Sequence, residues 1–241
     1  MPKLKMKADN LTAEQIDELN DLIEKYKDLD LVTFNVGIHG LYTSNRKYVD
    51  KCIEYARKKE LPIHIHFCEN AEEVVTIKQN YNENPVDIIE EDFEGNPIIL
   101  AHCVKLTDED IERLGKINNS VEKKTKISIA TCPVSNLKLG CGIAKINKMK
   151  EAGLNVSIGT DGQGSGSNLD LFEAMKYVAL LQKGQDENPE EMPAYEVLKM
   201  ATINGAKALG ISENVGSIEI GKKADIIMVD MNSIITKPTN D

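Results

Sequence analysis

The chain has 241 residues, 41% hydrophobic and 28% charged, which suits one globular domain of ordinary size or one domain with a small appendage. Its 29 Lys and Arg against 39 Asp and Glu give a formal net charge of -10 spread along the chain, which argues against a nucleic-acid binder, whose phosphate contacts need clustered cations. No run approaches the ~18 apolar residues of a membrane span, and MPKLKMKADN lacks the apolar segment of a signal peptide, so a cytoplasmic protein with no membrane partner is expected.

A helical pattern opens the chain, with Leu11, Ile16, Leu19, Leu22, Ile23 and Tyr26 near one face and Thr12 with Gln15 as a capping box. LVTFNVGIHG is β-rich, NRKYVDKCIEYARKKEL is helical, and PIHIHF reads as a strand. PIILAHC follows a Gly-Asn-Pro break, TDEDIERLGKI is a capped helix, and KISIATCP is another strand. After GIAKINKMKEAG come the strand NVSIGTD and the helix NLDLFEAMKYVALLQKG. Short apolar strands alternating with amphipathic helices predict βαβ units and a parallel sheet. EVLKMATINGAKALG predicts one helix ending at Gly210, and GSIEIGKKADIIMVDMN predicts two short strands around a glycine turn.

Five of these strands carry a polar residue near the C-terminal end: His39, His66, His102, Thr131 and Asp161. In a (β/α) barrel that end is the catalytic face. On the strand 61–70, His64 and His66 share one side while Ile63, Ile65 and Phe67 take the other. Two imidazoles on one face can converge on a metal, whereas either alone is more often a hydrogen-bonded core residue. Glu69, just past the strand, is either a solvated loop glutamate, as the neighbouring Glu72 and Glu73 suggest, or a general acid beside a reacting group. Asp161 is either an Asx-turn residue before Gly162 or a carboxylate that binds metal and accepts a proton. The five cysteines, Cys52, Cys68, Cys103, Cys132 and Cys141, are odd in number and lack CxxC spacing, so packed, reduced thiols are expected.

IHGLYTSN, IHIHFCEN, ILAHCVKLTDEDI, CPVSNLKLGCGIAKINKMKEAGLNVSIGTDG, SNLDLFEAMKYVALLQKG and ATINGAKALGISENVGSIEIGKKADIIMVD resemble, in order, segments of the amidohydrolase superfamily. They are most similar to its deaminases of S-adenosylhomocysteine, 5'-methylthioadenosine and 5'-deoxyadenosine. The resemblance implies an α/β fold, the C-terminal portion of a metal-dependent (β/α)8 TIM barrel. Residues 1–210 would hold its strands four to eight, and residues 211–241 a short β tail from the accessory β-sandwich domain.

The resemblance also implies roles. His66 matches a metal ligand and Glu69 the acid that protonates the purine ring. His102 matches the histidine that polarises the attacking water and is a ligand in binuclear relatives. Asp161 matches a residue that is both metal ligand and general base, and His39 a histidine that contacts substrate alongside Glu69 and Asp161. His64 has no matching role and is left as either a structural residue or one that supports the ligands. The implied cofactor is a divalent metal, zinc first, with iron or manganese as alternatives. The implied reaction adds water at C6 of adenine and releases ammonia, leaving the inosine analogue.

The pattern departs from the family at its start, where the first HxH motif is absent, and at Thr131 and Lys105, where many relatives carry His. A complete compact barrel with His64 and His66 as that first motif is disfavoured by the order of Glu69, His102 and Asp161 downstream. The expected partners are therefore a small purine nucleoside and an N-terminal half polypeptide or further copies of the chain. The alternatives are an inactive fragment or interaction module, and a chlorohydrolase or guanine deaminase relative.

Overall fold

All five β-rich runs form strands in the computed structural model, which describes residues 12–232. In chain order its elements are α1 (Ala13–Tyr26), β1 (Val36–Gly40), α2 (Arg46–Lys59), β2 (Ile63–Phe67), α3 (Ala71–Tyr81), α4 (Pro85–Asp92), β3 (Pro97–His102) and α5 (Asp108–Asn119). They continue with β4 (Lys126–Thr131), α6 (Pro133–Lys138), α7 (Ile146–Glu151), β5 (Asn155–Ile158), α8 (Gln163–Gly166), α9 (Leu171–Gln185), α10 (Ala194–Ala201) and α11 (Ile203–Ala208). The strands pair in the order β1-β2-β3-β4-β5, every pair parallel. Sequential order with helical crossovers is an arc of a barrel, and among the described residues β1 and β5 each have one strand neighbour.

Alternation in β2 sets which face is buried. Ile63, Ile65 and Phe67 are fully buried, whereas His64 and His66 on the other face are only partly so. Burying each of the three contributes about 1.5–3 kcal/mol. Val49, Cys52, Ile53 and Ala56 of α2 and Ile111, Leu114 and Ile117 of α5 join the same core. Helix starts are marked by side-chain caps at Asn45, Asn70, Asn84, Thr107 and Asp170. The expected box of Thr12 with Gln15 caps α1, but none of that helix is buried and Leu19 and Leu22 stay exposed. Leu11 of that pattern lies outside the described residues.

Two expectations need correction. The single helix before Gly210 is broken at Thr202 (φ -127°, ψ -97°) into α10 and α11. Thr202 Oγ1 bonds back to Leu198 O at 2.7 Å, which loosens the turn, and Asn204 then reaches β5 by donating to Val156 O at 2.9 Å. Gly210 does end α11, at φ +71°. The two strands expected in 216–232 do not form a ladder among the described residues; Ile218, Ile220 and Met228 stand fully exposed. An extended pair has little independent stability without a further strand or helix to cover it. Residues 233–241 lie outside the described residues. Among the described residues no helix is long and apolar enough to cross a membrane.

Candidate active site

Because the strands are parallel, their C-terminal ends lie along one edge that carries all five polar residues, although Thr131 is buried on the same side of β4 as Ile127 and Ile129. His39 is on β1, His66 on β2, His102 and Thr131 close β3 and β4, and Asp161 follows β5 by three residues. Ring centroids are 5.0 Å apart for His39 and His66, 5.3 Å for His66 and His102, and 6.1 Å for His64 and His66. The backbone is strained at this edge: Cys68, His102, Cys103 and Asp161 have φ between 49° and 72°. Non-glycine residues there cost about 1–3 kcal/mol each, a cost typically held at functional sites.

His39 is the extra residue of a bulge. Ile38 pairs with Ile65 and Gly40 with His66, so β1 spends two residues where β2 spends one. The His39 carbonyl accepts from His66 Nδ1 at 2.6 Å. A carbonyl only accepts, so Nδ1 carries a proton, and in the neutral ring Nε2 keeps the lone pair. The His39 ring has the same polarity. Thr43 Oγ1 donates to Gly40 O at 3.1 Å and is left to accept from His39 Nδ1 at 2.9 Å. Burial and then the neighbouring His66 lower the pKa of His39; burial, His66 and His102 lower that of His64.

His102 is buried, and its Nδ1 meets Asn136 Oδ1 at 2.8 Å. Asp161 is held at both oxygens: Ser135 Oγ donates to Oδ2 at 2.7 Å and the Gly162 N–H to Oδ1 at 2.7 Å. The second bond reaches only the next residue, so it is not the Asx turn considered for Asp161, which would take the amide two residues on. Burial pushes the Asp161 carboxyl up, but hydrogen bonds from Ser135, Ser165 and the Gly162 amide, with His102 nearby, outweigh it and hold the pKa below the ordinary value. The loop after Asp161 closes tightly: a Cβ on Gly166 would lie 2.3 Å from Thr160 O.

Glu69 lies 4.0 Å from His102 Nδ1, too far for a hydrogen bond, and accepts from Cys141 Sγ at 3.8 Å. Its backbone is fixed by Glu73, which is 1% exposed and takes the Cys68 N–H and the Glu69 N–H, one on each carboxylate oxygen, both at 2.7 Å. Glu73 therefore does not belong to a solvated acidic run. Burial raises its pKa, against the pull of those bonds. All five cysteines are buried free thiols, as expected.

Sequence reasoning missed Glu73, Ser135 and Asn136. The first was masked by the acidic neighbours before it. The other two stood inside CPVSN, whose helix α6 was too short to register by periodicity.

The donor chemistry fits part of a metal shell. His66 is preset with Nδ1 bonded and Nε2 free, the arrangement that metal-ligating histidines adopt, and Asp161 is kept anionic. Among the described residues no three His, Cys, Asp or Glu side chains group closely enough to hold an ion, so the set on this chain is partial.

Similar proteins match along nearly the whole chain. The sequence profile of the amidohydrolase family covers residues 2–241. A 5-methylthioadenosine/S-adenosylhomocysteine deaminase of Caldanaerobacter subterraneus is 41% identical over 208 residues, 86% of this chain and 46% of that protein. A 5'-deoxyadenosine deaminase of Methanosarcina acetivorans is 41% identical over 206 residues, 85% of this chain and 45% of that protein. The crystal structure of an adenosine deaminase from Xanthomonas campestris with bound zinc superposes with a TM-score of 0.84 at 30% identity, covering 95% of this chain and 50% of that one. The chain thus spans about half the length of the curated relatives it matches. A five-stranded parallel arc, the polar residues on its C-terminal edge and the profile match together place the chain in the amidohydrolase family.

Proposed function

We propose that the chain is the C-terminal part, strands four to eight over 1–210 and a segment of the accessory domain over 211–241, of a hydrolase that deaminates an adenosine-type nucleoside. The substrate is 5'-deoxyadenosine, 5'-methylthioadenosine or S-adenosylhomocysteine, and the product is the inosine analogue. What supports this best is the shared edge itself: two imidazoles with fixed Nδ1 partners, an aspartate kept ionised and a separately anchored glutamate. The names of the relatives supply the substrate class.

His66 and Asp161 would hold a divalent metal, zinc with iron or manganese as alternatives, and an N-terminal polypeptide would complete its shell. When bound, the metal supplies the Lewis acidity that makes water a nucleophile at neutral pH. Asp161 accepts the proton of the water that adds at C6. His102 holds that water through its free nitrogen, and its burial keeps the geometry fixed. Glu69 delivers a proton to N1 and takes one back from the C6 hydroxyl as the carbonyl forms, while Asp161 passes the water's proton to the leaving amine, so the balance is nucleoside plus water to inosine analogue plus ammonia. His39, with Glu69 and Asp161, contacts the substrate at the edge of β1.

The test mixes the purified chain with the N-terminal half of a deaminase of this family and zinc, and follows ammonia release from 5'-deoxyadenosine, 5'-methylthioadenosine, S-adenosylhomocysteine and guanine. Ammonia from one of the adenosine compounds is expected. Turnover of guanine alone would move the substrate to another branch of the family, and neither zinc binding nor turnover would leave the chain an inactive fragment or interaction module.

A further inference from the structure

We propose that Ser135 and Asn136, adjacent on α6, are positioning residues that set the two sides of the candidate site together: Asn136 fixes the tautomer of His102 and Ser135 orients the carboxylate of Asp161. The roles of His102 and Asp161 rest on the function proposed above. The geometry does not.

The strand order explains how one short helix reaches both. α6 follows β4, and β4 lies between β3, which carries His102, and β5, which leads to Asp161. Successive residues of a helix point about 100° apart, so neighbours on α6 serve opposite flanks. Ser135 Oγ donates to Asp161 Oδ2 at 2.7 Å, and Asn136 Oδ1 sits 2.8 Å from His102 Nδ1. Both side chains are buried, at 0% and 2% exposure. Bulk water therefore does not reach either side chain to replace a lost partner.

The backbone of the pair is fixed as well. Asn136 N–H donates to Cys132 O at 2.9 Å, Cys141 N–H to Asn136 O at 2.8 Å and Leu139 N–H to Ser135 O at 2.9 Å. Lys138 Nζ ties α6 to α8, just after Asp161, through Gly164 O at 3.1 Å. With Oδ1 as acceptor, Asn136 puts the His102 proton on Nδ1 and leaves Nε2 as the lone-pair nitrogen, matching His66. Any movement of α6 would disturb both residues at once.

Two measurements test this. In the full chain labelled with 15N-histidine, two-bond correlation spectra report each imidazole's tautomer, and His102 is identified by its loss in His102→Gln. Wild-type His102 should be protonated at Nδ1, Asn136→Asp should keep that state, and Asn136→Leu should shift it toward Nε2. A wild-type His102 protonated at Nε2 overturns the proposal without any variant, as does a folded Asn136→Leu whose His102 is unchanged. In the second, zinc is titrated into the chain assembled with the N-terminal half. Ser135→Ala should bind about tenfold more weakly, the usual cost of losing a bond that orients a ligand. Equal affinity overturns the role of Ser135. Absence of zinc binding by the wild-type assembly overturns the proposed function instead, and the tautomer spectra still decide the role of Asn136.

Discussion

His66 Nδ1 lies 2.6 Å from the carbonyl oxygen of His39, so one histidine is held by the backbone of another. The bulge that places this carbonyl belongs to the main chain, not to the His39 ring. His39→Ala should therefore leave zinc affinity of the assembled protein within about a factor of two, while raising KM for the nucleoside. His66→Ala should weaken zinc binding beyond the about 10–100-fold that loss of an orienting partner costs. Calorimetric titration of the two variants separates a ligand from its support.

Glu69→Gln removes the proposed proton donor but keeps the shape and the backbone bond to Glu73. Loss of kcat by about 10²–10⁴-fold is expected with unchanged zinc binding and an unchanged unfolding midpoint. Rates from ammonia release on the assembled protein check it.

Glu73→Ala strips the buried amide of Cys68 and the part-buried amide of Glu69 of their acceptor. Each unpaired amide costs about 1–3 kcal/mol, so urea unfolding should show a loss of a few kcal/mol. Glu73→Gln keeps one acceptor oxygen and should lose less. Amide exchange at Glu69 should quicken in both variants ahead of global unfolding.

Arg113 bridges Asp87 and Glu90 of α4 from its place on α5, at 2.7 and 2.8 Å, and Lys123 adds a bond to Glu90 at 2.9 Å. Hydrogen bonds from Lys123 and Arg113 hold the Glu90 pKa below its ordinary 4.5. A carboxylate with a depressed folded-state pKa stabilises the fold above its unfolded value and loses that contribution as pH falls through the folded value. Unfolding measured from pH 6 to pH 3 should thus fall more steeply for wild type than for Arg113→Met. The pair is partly exposed, so the difference should stay below about 1 kcal/mol.

Much of the fold was legible in the sequence. The alternation Ile63, His64, Ile65, His66, Phe67 fixes which side of β2 faces the helices, because successive side chains of a strand point oppositely. The caps at Thr12 and Thr107 and the glycine stop at Gly210 are local chemistry and were readable where they stand. The helix over 196–210 was not. Its break at Thr202 depends on Asn204 reaching Val156, a contact 48 residues away in sequence. The tail strands failed for the opposite reason: Ile218, Ile220, Ile226 and Met228 have strand chemistry, but a strand also needs a neighbour.

The sequence by itself determined the parallel β/α order, the family likeness, and the placing of His39, His66, His102 and Asp161 at strand ends, because periodicity, caps and strand-end residues are local properties of the chain. Only the tertiary structure decided how those side chains are held. Glu73 reads as one more acidic residue until burial and two backbone amides give it a task. Ser135 and Asn136 read as part of a short motif until the order of β3, β4 and β5 sets them between His102 and Asp161. Hydrogen-bond partners distant in sequence are chosen by the packing of strands and helices, and no local pattern encodes that choice.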